Sequence, residues 1–190
     1  MLKLYYTTVT EYNQSQPSIY KSLGGYKSSS MVKNDSYSNL FDELSLISSS
    51  SMGKDQYIGL VLKNEGDKIA SGIQLWFEPI NEDMLYCEFE LAAEQMSLDK
   101  DGNPQMETIE TIYNKPFYAQ FYPATVEDKV TIGDLNPNEE VGIWIKRIVL
   151  KDKVKEDYND LYEKDPSSEN RYRKKAKNQE ESMNLQIEWL

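Results

Sequence analysis

QYIGLVLKNEGDKIASGIQLWFEPINEDMLYCEFEL, residues 56–91, contains three runs of strand composition separated by two turn-rich gaps. In the first run Ile58, Leu60 and Leu62 alternate with Tyr57, Gly59, Val61 and Lys63. In the second, Ile73, Leu75 and Phe77 alternate with Gln74, Trp76 and Glu78, and in the third Leu85, Cys87, Phe89 and Leu91 alternate with Tyr86, Glu88 and Glu90. Side chains alternate faces along a strand, so each run can bury one face and wet the other. Asn64-Glu65-Gly66-Asp67 and Pro79-Ile80-Asn81-Glu82-Asp83 supply the turns. The stretch reads as the middle of an antiparallel β-sandwich.

The same pattern continues outward. Leu2, Leu4 and Tyr6 give a short first strand over residues 2–8. Further strands are expected over 106–112, over 117–122 (Phe117, Ala119 and Phe121 against Tyr118, Gln120 and Tyr122) and over 130–135. Val141, Ile143 and Ile145 alternate with Gly142, Trp144 and Lys146, and Leu185, Ile187 and Trp189 close the chain. About eight strands at this spacing suit a sandwich. One core is expected to hold Leu60, Leu75, Phe89, Ile143 and Ile187.

Two segments break the pattern. Residues 10–54 are rich in Ser, Asn, Gln, Tyr and Gly, with apolar residues in ones and twos, among them Tyr20, Leu23, Tyr26, Leu40, Phe41 and Leu44. So long a polar stretch is unusual inside a compact domain, yet it keeps more aromatics than a disordered linker. It reads as an extended arm laid on a surface, its own or a neighbour's, mobile in a monomer and ordered in an assembled ring. Residues 151–182 form a charged insertion before the last strand: Val154, Tyr158, Leu161 and Tyr162 share one helical face, Pro166 ends it, and Arg171, Arg173, Lys174, Lys175 and Lys177 follow. The 190 residues therefore read as one domain, with its core in 55–150 plus 183–190. The insertion is either a solvated helical element or a docking element for an acidic neighbour.

Formal net charge is −11, and the mean hydropathy is −0.69. An acidic chain lacks the basic face that displaces counterions from phosphates, so sequence-specific nucleic-acid binding is not expected. No run approaches the ~20 apolar residues of a membrane span, and Met1-Leu2-Lys3-Leu4 does not open a signal peptide, which suits a chain kept in a reducing cytoplasm. The single cysteine, Cys87, falls on an apolar stripe and reads as a buried thiol. There is no histidine, which removes the commonest general base and zinc ligand. Folding stability should accordingly vary little between mildly acidic and neutral pH.

Catalytic constellations are not apparent. Gly-rich phosphate loops, CxxC pairs and serine-nucleophile elbows are missing, and no carboxylate pair stands out by spacing. Asp99, Asp101, Asn103 and Glu110 partly match a calcium loop, but Pro104 stands where such a loop needs glycine, and a tight hairpin turn accounts for the same residues. No cofactor is expected. Trp76 and Trp144 fall opposite the aliphatic stripes, and exposed aromatics on strands suit a protein interface or a sugar-stacking platform.

Several phrases resemble a family of tailed-bacteriophage virion proteins: Ser22-Leu23-Gly24-Gly25, Asn39-Leu40-Phe41-Asp42-Glu43-Leu44-Ser45, Tyr57 to Asn64, Ile73 to Phe77, and the turn Ile132 to Glu139 before Val141 to Lys146. The resemblance covers about residues 22–92 and 130–147 and marks a strand–turn framework, with no active site in it. It implies a non-enzymatic virion structural protein with an Ig-like β-sandwich, assembled in the host cytoplasm. The Asn- and Lys-rich style fits a crAss-like podovirus, whose portal–tail neck is built of stacked rings. Expected partners are copies of the chain in a ring and other virion proteins (portal, adjacent ring or tail), with no membrane. The interface would use Tyr20, Leu23, Tyr26, Leu40, Phe41, Trp76, Trp144, Arg171, Arg173, Lys174 and Lys175. The alternative is a carbohydrate-binding sandwich module of a phage adhesion device, reading sugars with Trp76, Trp144 and tyrosines.

Overall fold

The computed structural model describes residues 1–16, 18, 21–32, 55–79, 87–150 and 183–190. Eleven strands form there: β1 (Leu2–Thr8), β2 (Gly24–Met31), β3 (Gln56–Asn64), β4 (Ala70–Pro79), β5 (Cys87–Glu94), β6 (Ser97–Leu98), β7 (Pro104–Thr108), β8 (Tyr122–Pro123), β9 (Val130–Leu135), β10 (Glu140–Val149) and β11 (Met183–Glu188). They make an eight-stranded sheet in the order β6-β7-β2-β1-β3-β10-β5-β8 and a three-stranded sheet in the order β11-β4-β9. Every pairing is antiparallel. The architecture is mainly β and sandwich-like, with one curled sheet and a second, smaller one.

The main core lies where the alternation places it. The large sheet contributes Leu2 and Leu4 from β1, Ile58, Leu60 and Leu62 from β3, Leu91 from β5, and Ile143 and Ile145 from β10. The small sheet contributes Ile73, Leu75 and Phe77 from β4, Val130 and Leu135 from β9, and Leu185 from β11. Phe89 and Ile187 pack against this cluster at its margin, and the Phe77 and Phe89 rings meet at 4.7 Å. Cys87 is buried. Removing a buried Leu or Ile side chain costs about 2–5 kcal/mol, so Leu60→Ala and Ile143→Ala should each lower stability by that order in denaturant titrations. An unchanged transition midpoint in both would mean that these residues do not line a packed core.

Asn64, at the end of β3, joins the two sheets. Its Nδ2 donates to the carbonyls of Lys68 (2.7 Å) and Leu135 (2.9 Å), and its Oδ1 accepts the Gly66 N–H. One buried amide thereby sets the β3–β4 turn and holds the end of β9. An apolar residue of similar size would orphan both carbonyls.

The large sheet also carries a second core on its other face, which the alternation alone does not reveal. The sheet rolls, so that Met106 of β7 lies over Gly142 of β10, where an added methyl group would meet the Met106 Cε at 3.1 Å. Tyr57, Val61, Ala92, Met106, Ile109, Ala119 and Trp144 pack together there, with Leu23, Met96 and Phe121 at the margin. The central strands are therefore covered on both sides. In β3, the residues from Tyr57 to Leu62 are all buried.

Three expectations change. First, residues 24–31 of the expected arm are β2, an internal strand between β1 and β7. Residues 13–16 lie alongside it, through Asn13 N–H to Lys27 O and Ser29 N–H to Gln14 O. Residues 24–31 pair with strands of their own chain; residues 33–54 lie outside the described residues. Second, the strand expected over 106–112 ends at Thr108. Third, 117–122 is not a strand except at its last residue, where β8 begins. The turn before β7 is a hairpin: Asp99 Oδ1 accepts the N–H groups of Asp101 and Asn103, both at 2.8 Å, and Gly102 takes φ +82°. The insertion 151–182 and its expected helix lie outside the described residues.

Candidate functional site

Of the sequence-derived interface residues, Leu23, Tyr26, Trp76 and Trp144 are among the described residues. Trp144, expected on an exposed face, is fully buried at 0% exposure. It stands between Gly59 of β3 and Ala92 of β5, two small residues that leave room for the indole. Its Nε1 donates to Glu94 Oε2 at 2.6 Å. Gly24 and Gly59 bring β2 close above the ring; Gly24 (φ +85°) offers no Cβ where one would lie 2.9 Å from Trp144 Cη2. The Ser22-Leu23-Gly24-Gly25 phrase thus has a structural use. Ser22 Oγ donates to the Gly59 carbonyl and accepts the Thr7 N–H, Leu23 packs at the margin of the second core, and the glycines allow the close crossing.

Trp76 is half-buried on the outer face of the small sheet. Lys129 Nζ sits 3.9 Å from its ring centroid, held also by Glu188 at 2.8 Å, and Trp76 Nε1 donates to Glu78 Oε1 at 3.3 Å. One face of this indole is already occupied. Tyr26 is half-buried, with its hydroxyl on Asp99. Tyr20, Leu40, Phe41, Arg171, Arg173, Lys174 and Lys175 lie outside the described residues.

Two features escaped the sequence reading. The first is an aromatic tip. Phe117 and Tyr118 are 82% and 80% exposed, with ring centroids 4.9 Å apart and planes at 85°. Their backbone is held firmly: Glu107 accepts the Phe117 N–H at 2.6 Å on one oxygen and the Tyr118 N–H at 3.0 Å on the other. The Glu107 N–H in turn donates to Glu94, the carboxylate that accepts from Trp144. Pro116 and Ala119 are buried on either side, and Phe121 packs edge-on against Tyr57. A chain of three hydrogen-bonded groups therefore runs from the second core to two outward-facing rings. Pro116 and Pro123 bracketing the segment were the available signal, since proline disfavours a central strand.

The second is a polar plug beside the roll. Lys27 is only 5% exposed; its ammonium lies 4.4 Å from the Tyr5 ring centroid and 5.4 Å from that of Tyr12 and donates to Asn13 Oδ1 at 2.7 Å and to the Ser28 carbonyl at 3.2 Å. Tyr12 donates through its hydroxyl to Glu140 Oε1 at 2.8 Å, which also receives Lys63 at 2.8 Å. The Tyr5 hydroxyl donates to Glu65, which pairs with Lys3 at 2.7 Å.

These contacts shift titrations. Burial, then the bond to Glu65, pushes the Tyr5 phenol well above its ordinary value, and burial and Glu140 do the same for Tyr12. Burial pulls the Lys27 ammonium down, against the opposing pull of Glu140. Hydrogen bonds from Lys3 and Tyr5 hold the Glu65 carboxyl low. Above the ordinary tyrosine value of about 10, the unfolded chain gives up the Tyr5 and Tyr12 phenol protons, among others, that the folded chain keeps, so stability falls as pH rises. Lys27 acts oppositely, its unfavourable charge being lost in the folded state first, but this gain ends near the ordinary lysine value of about 10.4. Alkaline unfolding should therefore begin above about pH 10. Tyr12→Phe should cost about 1.5–3 kcal/mol at neutral pH yet show a shallower alkaline decline in melting temperature. An equally steep decline would assign the alkaline limb to other groups.

Among the described residues no helix is long and apolar enough to cross a membrane, and no group of three Asp, Glu or Cys side chains is placed to hold a metal. No protein-family model, curated protein or solved structure matches the chain.

Proposed function

We propose that this chain is a non-enzymatic structural protein of a tailed-phage virion, present in many copies in a ring or collar at the portal–tail junction and acting through contacts between subunits and with neighbouring virion proteins. The observation that carries the reading is the clamped Phe117–Tyr118 tip. Two aromatic side chains held outward on a braced backbone lose little conformational freedom on docking, and buried aromatic anchors dominate interface energetics. The sandwich-like framework and the phrases that resemble phage virion proteins support the same reading. An Ig-like strand arrangement and a helical 151–182 insertion belong to it as finer expectations, as does lacing of subunits by residues 33–54 and by the basic run at 171–177.

Carbohydrate binding is the weaker reading. Burial removes Trp144 from any sugar platform, Lys129 covers one face of Trp76, and Phe117 and Tyr118 present a corner where a sugar ring would need a plane.

Mass photometry of the full chain over a concentration series tests the proposal. Wild type is expected to form discrete oligomers. Phe117→Ser with Tyr118→Ser should shift them to smaller species, losing about 2 kcal/mol or more of association energy with the melting temperature kept. A wild type that stays monomeric throughout, or a double variant that assembles equally well, would refute this use of the tip, and binding on a glycan array would favour the adhesion reading.

A further inference from the structure

The polar plug contains one buried carboxylate oxygen that no protein donor among the described residues meets. The Glu140 side chain is 3% exposed. Its Oε1 is saturated by Tyr12 and Lys63, whereas its Oε2 is buried and meets no hydrogen-bond donor among the described residues. A buried carboxylate oxygen without a donor forfeits its hydration with nothing in return, and such atoms in folded proteins are met by ordered water or an ion. The Lys27 ammonium interacts electrostatically with Glu140. This ammonium carries three N–H groups, of which two are used, on Asn13 and Ser28. Tyr12 touches both groups, its ring taking the ammonium and its hydroxyl the carboxylate.

We propose that an internal water molecule occupies this plug, donating to Glu140 Oε2 and accepting from Lys27 Nζ. The site calls for a small neutral donor. It already holds the Lys27 and Lys63 ammonium groups, whose charges disfavour a third cation. A water has the two polar partners that burial requires. The water would complete a continuous link from β10 through Glu140 and Lys27 to β2, and through Asn13 and Tyr12 to the segment lying along β2. That segment is thereby fastened to the sheet by polar contacts in place of apolar packing. The inference is independent of the proposed role in the virion.

Crystals of the full chain, grown once in sodium and once in rubidium salts, test it. The expected result is one density peak at about 2.7–3.2 Å from Glu140 Oε2, in contact with Lys27 Nζ and without anomalous scattering in rubidium. In solution, the Tyr12 ring protons should show cross-relaxation to a slowly exchanging water, and Glu140→Leu should abolish it. If that variant does not fold, the wild-type signal still decides. An anomalous rubidium peak, a protein donor sitting directly on Oε2, a peak out of reach of Lys27, or no slowly exchanging water would each overturn the proposal.

Discussion

Replacing Trp144 with alanine is expected to destabilise the fold by about 3–5 kcal/mol, the range for emptying a buried aromatic site. The indole is wholly buried, and its neighbours across the ladder, Gly59 and Ala92, carry no more than a methyl group with which to fill the space. The substitution also removes the 2.6 Å donor to Glu94, whose other oxygen positions the Glu107 backbone. The damage should therefore reach the Phe117–Tyr118 tip as well as the global stability. Chemical denaturation measures the first effect, and hydrogen exchange at the Phe117 and Tyr118 amides measures the second. Trp144→Phe separates them, since it keeps most of the apolar volume and loses only the N–H donor. A tryptophan standing on an open strand face would tolerate alanine within about 0.5 kcal/mol. A change that small would refute the second core.

Gly24→Ala is the second large effect. Gly24 has φ +85°, and a Cβ there would lie 1.8 Å from the Glu107 carbonyl oxygen and 2.9 Å from Trp144 Cη2. The left-handed backbone alone costs an alanine about 1–2 kcal/mol. Forcing β2 away from β7 adds an overpacking cost of about 1–3 kcal/mol, giving about 2–5 kcal/mol in all. Gly102→Ala is the control. Its φ is +82° but a Cβ there meets nothing within 4 Å, so it should show the backbone cost alone. Equal losses at the two positions in thermal melts would mean that the crossing of β2 over β3 and Trp144 is not tight.

The strands of the main core were legible because a period of two in polarity is a local property. Ile58, Leu60 and Leu62, Ile73, Leu75 and Phe77, and Ile143 and Ile145 all face that core as their alternation says, and Cys87 is buried with them. Composition also supplies the expectation of flat stability from mildly acidic to neutral pH, which a stability–pH profile would test. The resolved shifts belong to Tyr5, Tyr12, Tyr26, Tyr57, Lys27, Lys146, Glu65 and Asp99. The two carboxyls move down and the phenols and Lys146 up, whereas burial moves Lys27 down.

Alternation separates a strand's two faces but does not say what covers each. On β10 the stripe of Ile143 and Ile145 marks one buried face, and Trp144 and Gly142 on the other read as solvent-facing until the sheet is seen to roll over them. That roll depends on Gly24, Gly59 and Gly142, which permit close approach only to a surface brought in from another part of the chain. The plug is non-local in the same way: Tyr12 and Glu140 are 128 residues apart, and no local pattern links an exposed-looking lysine at 27 to either. The aromatic tip failed differently. Phe117 to Tyr122 has a strand's polarity pattern, but Glu107 takes the N–H groups of its first two residues, leaving them no ladder to join. Sequence alone thus determined the strands that line the principal core and which of their faces turns inward, through side-chain periodicity. The second core, the plug and the tip were decided by tertiary structure, because each depends on which distant surface or hydrogen-bonding group comes to lie against a strand.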